Sequence, residues 1–127
     1  MDTTILVDQL YDKGKKLIES LDKHGYKFPI AVWVNFPYEN DWELLLGVPH
    51  LDTEGSKHTL KAIYNIIQKE NIDLLLSYIR LEDTQSEICR DIRKTNIRTG
   101  MKMAKIPYMG NFINGKQFPD SIIYRIR

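Results

Sequence analysis

The sequence predicts a single α+β domain over residues 1–127, in which three helices cover a mixed five-stranded sheet in the order α-β-β-α-β-α-β-β. Three observations predict this fold. An apolar stripe at helical spacing occupies residues 4–24, and a strand-turn-strand pattern follows at 28–49. Near the C-terminus, the Asn-Gly pair at 114–115 is the strongest short hairpin signal. No repeat, low-complexity tract or linker indicates a second domain.

The first helix is predicted over residues 4–24. Its apolar positions recur every three or four residues on one face, at Leu6, Leu10, Gly14, Leu17 and Leu21. Gly25 follows, where a left-handed residue commonly ends a helix. A glycine inside a helix costs about 1 kcal/mol relative to alanine, so we expect Gly14 to let the helix approach the sheet closely.

The first hairpin should form the middle of the sheet. Its first strand is predicted over residues 30–36, a polar turn over 37–41 and its second strand over 42–48. Both strands carry apolar residues on both faces, which is typical of strands with neither face in water.

The central part of the chain alternates helix and strand. After a polar loop at 50–56, the sequence predicts a second helix over residues 57–70 and a third strand over 72–81. That strand is apolar on both faces, so we expect it near the centre of the sheet. If it runs parallel to the second strand, the crossover should be right-handed.

The last third begins with a short helix predicted over residues 82–94, with acidic residues in its first turn. An irregular basic stretch follows up to residue 105. Strands near 106–113 and 116–126 should then pair through the Asn-Gly turn. Pro119 cannot donate a hydrogen bond to a sheet, so we expect the last strand to be broken, bulged or at an edge.

Short segments near the C-terminus, together with the tryptophan-containing hairpin, carry a family resemblance. These segments are Gly110-Asn-Phe-Ile-Asn-Gly115 and Ile123-Tyr-Arg125. On these residues the chain resembles small single-domain bacterial proteins that have no assigned activity. The resemblance supports the fold and implies no function.

Cysteine usage and hydropathy favour a cytoplasmic protein. The single cysteine, Cys89, excludes an internal disulfide and a thiolate metal site. Its position on an apolar helix stripe predicts a buried, inert thiol. The N-terminus mixes apolar and acidic residues, unlike a signal peptide, and no apolar run approaches the ~20 residues of a membrane span.

Two groups of side chains could bind a metal ion or act as catalytic acids and bases, but neither matches the spacing of a known motif. His50, Asp52, Glu54 and His58 offer ligands for a divalent ion, as a metal-dependent hydrolase or nuclease would need. The convergence of His50, Asp52 and His58 stays open, because the first two lie in a loop and His58 in a helix. The second group, Glu39, Asp41 and Glu43, could supply paired carboxylates, but turn chemistry explains the first two equally well. We predict no catalytic residue, no metal and no cofactor.

The net charge of +1 hides an acidic body and a basic C-terminal third. Residues 1–87 carry a balance of −6, whereas residues 88–127 carry +7. Six cations of this basic segment lie within sixteen residues: Arg90, Arg93, Lys94, Arg98, Lys102 and Lys105. Two interpretations stay open. The segment binds nucleic acid or a phosphate ligand, or its charges complement the acidic body within the fold.

These observations lead to two function hypotheses. The first is a small cytosolic interaction module without catalytic activity, which binds a protein partner or its own copy. Trp33, Tyr38 and Trp42 would lie at its interface, because aromatic side chains are common interface anchors. The alternative for the two tryptophans is simple burial in the core. The second hypothesis is nucleic-acid or phosphate binding through residues 90–105.

Overall fold

The computed structural model describes residues 3–36, 41–95, 97–110, 112–113 and 115–127, and of residues 3–7 and 112–113 it describes the backbone. The elements in chain order are α1 (Thr3–Lys23), β1 (Ile30–Phe36), β2 (Asp41–Val48), α2 (Leu51–Glu54), α3 (Ser56–Lys69), a 3-10 turn (Leu76–Tyr78), β3 (Ile79–Asp83), α4 (Glu87–Arg93), β4 (Ile106–Tyr108), β5 (Phe112–Ile113), β6 (Lys116–Gln117) and β7 (Ser121–Ile126).

A mixed five-stranded sheet in the order β3-β2-β1-β7-β4 confirms the predicted α+β fold. The antiparallel hairpin of β1 and β2 lies in its middle, as the sequence predicts. β7 pairs antiparallel with β1 on one side and with β4 on the other. β2 and β3 run parallel, joined by the connection that contains α3.

The helices bury a separate core on each face of the sheet. On one face, side chains of α1 and α3 such as Leu17 and Ile63 pack with Trp33 of β1. On the other face, Cys89 and Ile92 of α4 pack with alternate residues of β1, β2 and β7. The alternation of β1 therefore serves two cores, which is why both of its faces are apolar.

Gly14 brings α1 close to the sheet, as predicted. A Cβ atom at this position would lie 2.6 Å from the Oη atom of Tyr124 and 2.9 Å from Nε1 of Trp33. The Trp33 indole donates a hydrogen bond of 2.9 Å to the Tyr124 hydroxyl. That hydroxyl in turn donates to the backbone carbonyl of Tyr11 in α1. A side chain larger than hydrogen at Gly14 would therefore displace a buried hydrogen-bonded pair.

A second contact between β7 and α1 involves Arg125, which is 1% exposed. The ladder between β1 and β7 shifts register after Ala31, so that Tyr124 and Arg125 both reach the core on the α1 side. The Arg125 guanidinium binds both carboxylate oxygens of Asp22, at 3.1 and 2.6 Å, and donates to the carbonyl of Phe28 at 3.1 Å. This bidentate geometry makes the ion pair stronger than one with a single hydrogen bond.

The third strand is shorter than predicted and lies at an edge of the sheet, so its expected central place was wrong. α3 ends near Asn71, which has a positive φ of 52°. Ile72 and Leu74 are then buried in an irregular segment ahead of the 3-10 turn. The apolar run thus reflects burial of irregular backbone, which hydrophobicity alone does not distinguish from a strand.

The short helix α4 also begins later than predicted. Glu82 and Asp83 extend β3, and the helix starts at Glu87. Ser86 caps it, because its side chain accepts a hydrogen bond from the backbone N–H of Cys89 at 3.3 Å. A further one-turn helix, α2, occupies part of the loop predicted at 50–56.

The C-terminal strands pair differently from the predicted long hairpin. β5 and β6 form a small two-stranded sheet of their own, with Ile113 opposite Lys116. β4 joins the main sheet by pairing with β7, with Ile106 opposite Ile123. Pro119 lies between β6 and β7, so the last strand is broken there, as predicted.

We predict that Gly14→Ala destabilises the protein by about 1–3 kcal/mol, although alanine is the better helix former. The added methyl group would force Tyr124 and Trp33 apart. Urea unfolding of the variant should show a lower midpoint than the wild type. Lys16→Ala, at an exposed position of the same helix, is the control and should shift stability by less than about 0.5 kcal/mol. A Gly14→Ala protein as stable as the wild type would contradict the close contact.

Candidate functional site

A cleft of about 350 Å³ opens between α4, β3 and the β6 region, on the face of the sheet that α4 covers. We call it the α4 cleft. Its apolar part consists of Ile88, Phe118 and Pro119. The charged and polar residues that line it are Arg80, Glu82, Glu87, Asp91, Lys116 and Gln117. The cleft thus combines an apolar floor with a charged rim.

Arg80 is the central cation of the α4 cleft. Its guanidinium lies over the ring of Phe36, 4.3 Å from the ring centroid. Its Nε atom donates to Oε2 of Glu82 at 3.0 Å, and its Nη1 atom lies 3.8 Å from Oε1 of Glu43. Residues of β1, β2 and β3 therefore hold the arginine between two carboxylates and an aromatic ring, so its orientation is restricted.

The rim of the α4 cleft carries more negative than positive charge. Its three carboxylates, from Glu82, Glu87 and Asp91, face two cations, Arg80 and Lys116. Glu82 is already paired with Arg80, and Asp91 lies 3.8 Å from Lys94, so Glu87 supplies the excess. Glu87 and Asp91 lie on α4, four residues apart and therefore on one face of the helix.

Several cations of the basic segment have partners within the chain. Arg98 folds back along the segment that follows α4. Its Nη1 atom donates to the carbonyls of Thr95 at 3.0 Å and Ile97 at 2.7 Å, and its Nη2 atom donates to the carbonyl of Arg93, the last residue of α4. Lys94 lies 3.8 Å from Asp91. Lys105 reaches α1, where it lies 3.9 Å from Asp8 and 4.6 Å from the centroid of the Tyr11 ring.

The remaining three cations of the segment differ in exposure. Arg93 is half-buried, and its Nε atom is buried without a hydrogen-bond partner in the described part of the chain. Arg90 and Lys102 are exposed. Half of the six predicted phosphate-binding residues therefore contact acidic groups, carbonyls or a ring within the fold.

We predict that Arg98→Ala lowers the free energy of unfolding by about 1 kcal/mol, because the carbonyls at the end of α4 lose a cationic donor. Thermal or urea unfolding measures the change. Arg90→Ala is the matched control, since Arg90 is exposed on the same helix, and it should leave stability within about 0.5 kcal/mol of wild type. Equal stability of the two variants would refute the capping role of Arg98.

Of the three aromatic residues predicted at an interface, the structure describes the two tryptophans. Trp33 is 0% exposed and Trp42 is 4% exposed, so both indoles belong to the core of the isolated chain. Nε1 of Trp42 has no hydrogen-bond partner in the described part of the chain. Tyr38 lies outside the described residues. The tryptophans therefore expose little side-chain surface, and their alternation in the hairpin reflects core packing.

The loops at the C-terminal ends of β2 and β3 bring His50 and Asp52 beside Asp83 in one shallow cavity. His50 adopts a left-handed conformation, with φ at 62°. His58 lies on α3 and does not line this cavity. Within the described ranges, no three His, Cys, Asp or Glu side chains are placed to hold a metal ion.

Asp83 connects these two loops through backbone hydrogen bonds. Its buried carboxylate accepts hydrogen bonds of 2.8 Å from the backbone N–H groups of Asp52 and Gln85. These backbone donors, first that of Asp52, hold the pKa of Asp83 below its usual range. The stabilisation is therefore present at neutral pH and is lost as the pH falls through the lowered pKa.

Asp83→Asn should lower the urea midpoint near pH 7, because the amide offers one acceptor where the carboxylate offers two. The gap to wild type should narrow as the pH falls below about 4, the pKa of an aspartate in the unfolded chain, and on through the lowered pKa of Asp83. Asp52→Asn is the control, because the side chain of Asp52 is exposed. A gap that stays constant with pH would contradict the role of the Asp83 charge.

The candidate carboxylates of the first hairpin and the single cysteine complete the set of residues with possible active-site chemistry. Asp41 is exposed and its carboxylate accepts from the backbone N–H of Trp42 at 2.8 Å, while Glu43 is directed to Arg80. Glu39 lies outside the described residues. Cys89 is buried in the core under α4 with no disulfide, as predicted, and this burial raises its pKa.

Sequence reasoning missed the α4 cleft because its lining comes from three separate segments. The one available signal was the alternation of Arg80 and Glu82, two charges on the same face of a predicted strand. Charges on a strand face indicate that this face is not fully covered. Glu87 and Asp91 were visible only as the polar side of a short helix.

Comparison of the chain with models of known families, with curated proteins and with solved structures found no match. The resemblance to small bacterial single-domain proteins thus stays a prediction. Across the described residues, none of the helices has both the length and the apolar character needed to cross a bilayer.

Proposed function

We propose that this chain is a small cytoplasmic interaction module that binds a protein partner without catalysing a reaction, and that the α4 cleft receives an arginine- or lysine-bearing segment of that partner. One observation carries the proposal. The α4 cleft joins an apolar floor to a rim on which carboxylates outnumber cations.

The apolar floor suits the stem of a long cationic side chain. Arginine and lysine bury their methylene groups against apolar surface while the charged end stays polar. Ile88 and Pro119 offer such a surface, and Phe118 adds an aromatic ring. Interfaces of this kind, with an apolar centre and a polar rim, are common between proteins.

The charges favour a cation over an anion. Glu82 and Glu43 already compensate Arg80, at 3.0 and 3.8 Å. Asp91 lies 3.8 Å from Lys94, so among the lining carboxylates Glu87 is the one that an arriving cation would pair with and that an arriving anion would meet. Such complementarity directs partner choice and speeds association more than it adds affinity.

Binding of nucleic acid or a phosphate ligand through residues 90–105 has weaker support. A phosphate backbone is held by several cations on one surface. Lys94, Arg98 and Lys105 instead have partners within the fold. Exposure of Arg90 and Lys102 is the observation that favours this second candidate.

The cytoplasmic part of the proposal is supported by cysteine usage. The chain has one cysteine, which is buried and has no disulfide partner. Proteins of oxidising compartments commonly use disulfides, whereas a free buried thiol is ordinary in a reducing one.

Titration of the folded protein with short blocked peptides tests the proposal. The probe is a tetrapeptide of alternating leucine and arginine, and its counterpart carries glutamate in place of arginine. Amide resonances of α4 and of residues 116–118 should shift with the arginine peptide and stay fixed with the glutamate peptide. Glu87→Lys/Asp91→Lys should weaken arginine-peptide binding about tenfold.

The control for charge alone is Asp12→Lys/Glu19→Lys, which changes the net charge equally at two exposed positions of α1. It should bind the arginine peptide within about twofold of wild type. If both double variants weaken binding equally, or if neither peptide shifts the cleft resonances, the α4 cleft is not the binding site. Duplex DNA in the same titration should leave the spectrum unchanged, and shifts at Arg90 and Lys102 would support the second candidate.

A further inference from the structure

We propose that the α4 cleft binds the C-terminal residue of a partner chain, and that this residue is an arginine or a lysine. Its cationic side chain pairs with Glu87, and its terminal carboxylate pairs with Lys116. This inference rests on the function proposed above and specifies which segment of the partner enters the cleft.

Glu87 and Lys116 are exposed charged residues of the cleft lining. Among the described residues, neither side chain has an ion pair or a hydrogen bond. The other charged residues of the lining have ion-pair partners at 3.0 to 3.8 Å. The cleft therefore offers a ligand one accessible carboxylate and one accessible ammonium group.

These two charges come from different elements of the fold. Glu87 is the first residue of α4, and Lys116 is the first residue of β6. An arginine inside a chain would be attracted by Glu87 and repelled by Lys116, because it brings a positive charge alone. A ligand that also carries a negative charge turns that repulsion into attraction. The lining thus favours a ligand with both charges over one with a cation alone.

A C-terminal arginine or lysine meets this requirement within one residue. Its side chain ends in a cation, its main chain ends in a carboxylate, and the methylene stem that separates them suits the apolar residues Ile88 and Phe118. The cleft volume of about 350 Å³ lies at the small end of the roughly 300–1,000 Å³ typical of ligand sites, which favours a single long residue over two charged side chains. Capture of a terminal carboxylate is also a recurrent mode of peptide recognition.

Three peptides distinguish a C-terminal residue from an internal one. All contain the N-acetylated tetrapeptide of alternating leucine and arginine, with arginine last. The first has a free terminal carboxylate, the second has a terminal amide, and in the third three glycines separate the last arginine from a free carboxylate. In NMR titrations, the first should bind the wild-type protein about two- to fivefold more tightly than the amide, as expected for one exposed ion pair. The third should bind like the amide, because its carboxylate is displaced from Lys116.

The variant Lys116→Gln tests the residue that the carboxylate contacts. It should bind the free-acid and amide peptides equally well, whereas Lys61→Gln should keep the wild-type preference. Lys61 is an exposed residue of α3 outside the cleft lining, so its substitution changes the net charge by the same amount without changing the cleft. A preference for the free acid that persists in Lys116→Gln would overturn the inference.

The outcomes separate this inference from the function on which it rests. Equal binding of all three peptides at the cleft resonances would overturn the inference and leave the proposed function in place. Binding of none of the peptides would overturn both. If Lys116→Gln fails to fold by circular dichroism, the comparison of the three peptides on the wild-type protein decides the inference.

Discussion

The close approach of α1 to the sheet at Gly14 is the contact on which the rest of the structure depends. It brings the backbone of one helix against side chains of two neighbouring strands, Trp33 of β1 and Tyr124 of β7. The polar ends of both rings are satisfied there, because the indole bonds the hydroxyl and the hydroxyl bonds α1. Leaving such a buried group without a partner costs about 1–3 kcal/mol, so the three elements are stable only together.

The face of the sheet opposite α1 is less completely covered by helices. The 21 residues of α1 and the 14 of α3 bury one face of the sheet, whereas the seven residues of α4 cover part of the other. The uncovered part lies towards β3. Glu43, Arg80 and Glu82 occupy it as a charged group that water or a partner can reach, and the α4 cleft is the gap between this group and the helix.

The sequence predicts those parts of the fold that depend on local periodicity. The helix at Gly14, the central hairpin and the break at Pro119 each follow from spacing or backbone chemistry within a few residues. The central position predicted for the third strand was wrong, because an apolar run indicates burial but not backbone conformation. The α4 cleft was missed for a different reason. Its lining joins β3, α4 and residues 116–119, which only tertiary packing brings together.

The pair formed by Arg80 and Glu82 connects the sheet to the proposed binding surface. Both side chains line the α4 cleft, and both lie on β3. The ring of Phe36 and the carboxylate of Glu43 also restrict the arginine, so this part of the rim is ordered before a partner arrives. A surface that is already ordered loses less side-chain entropy on binding, and more of its interaction energy is then available for affinity.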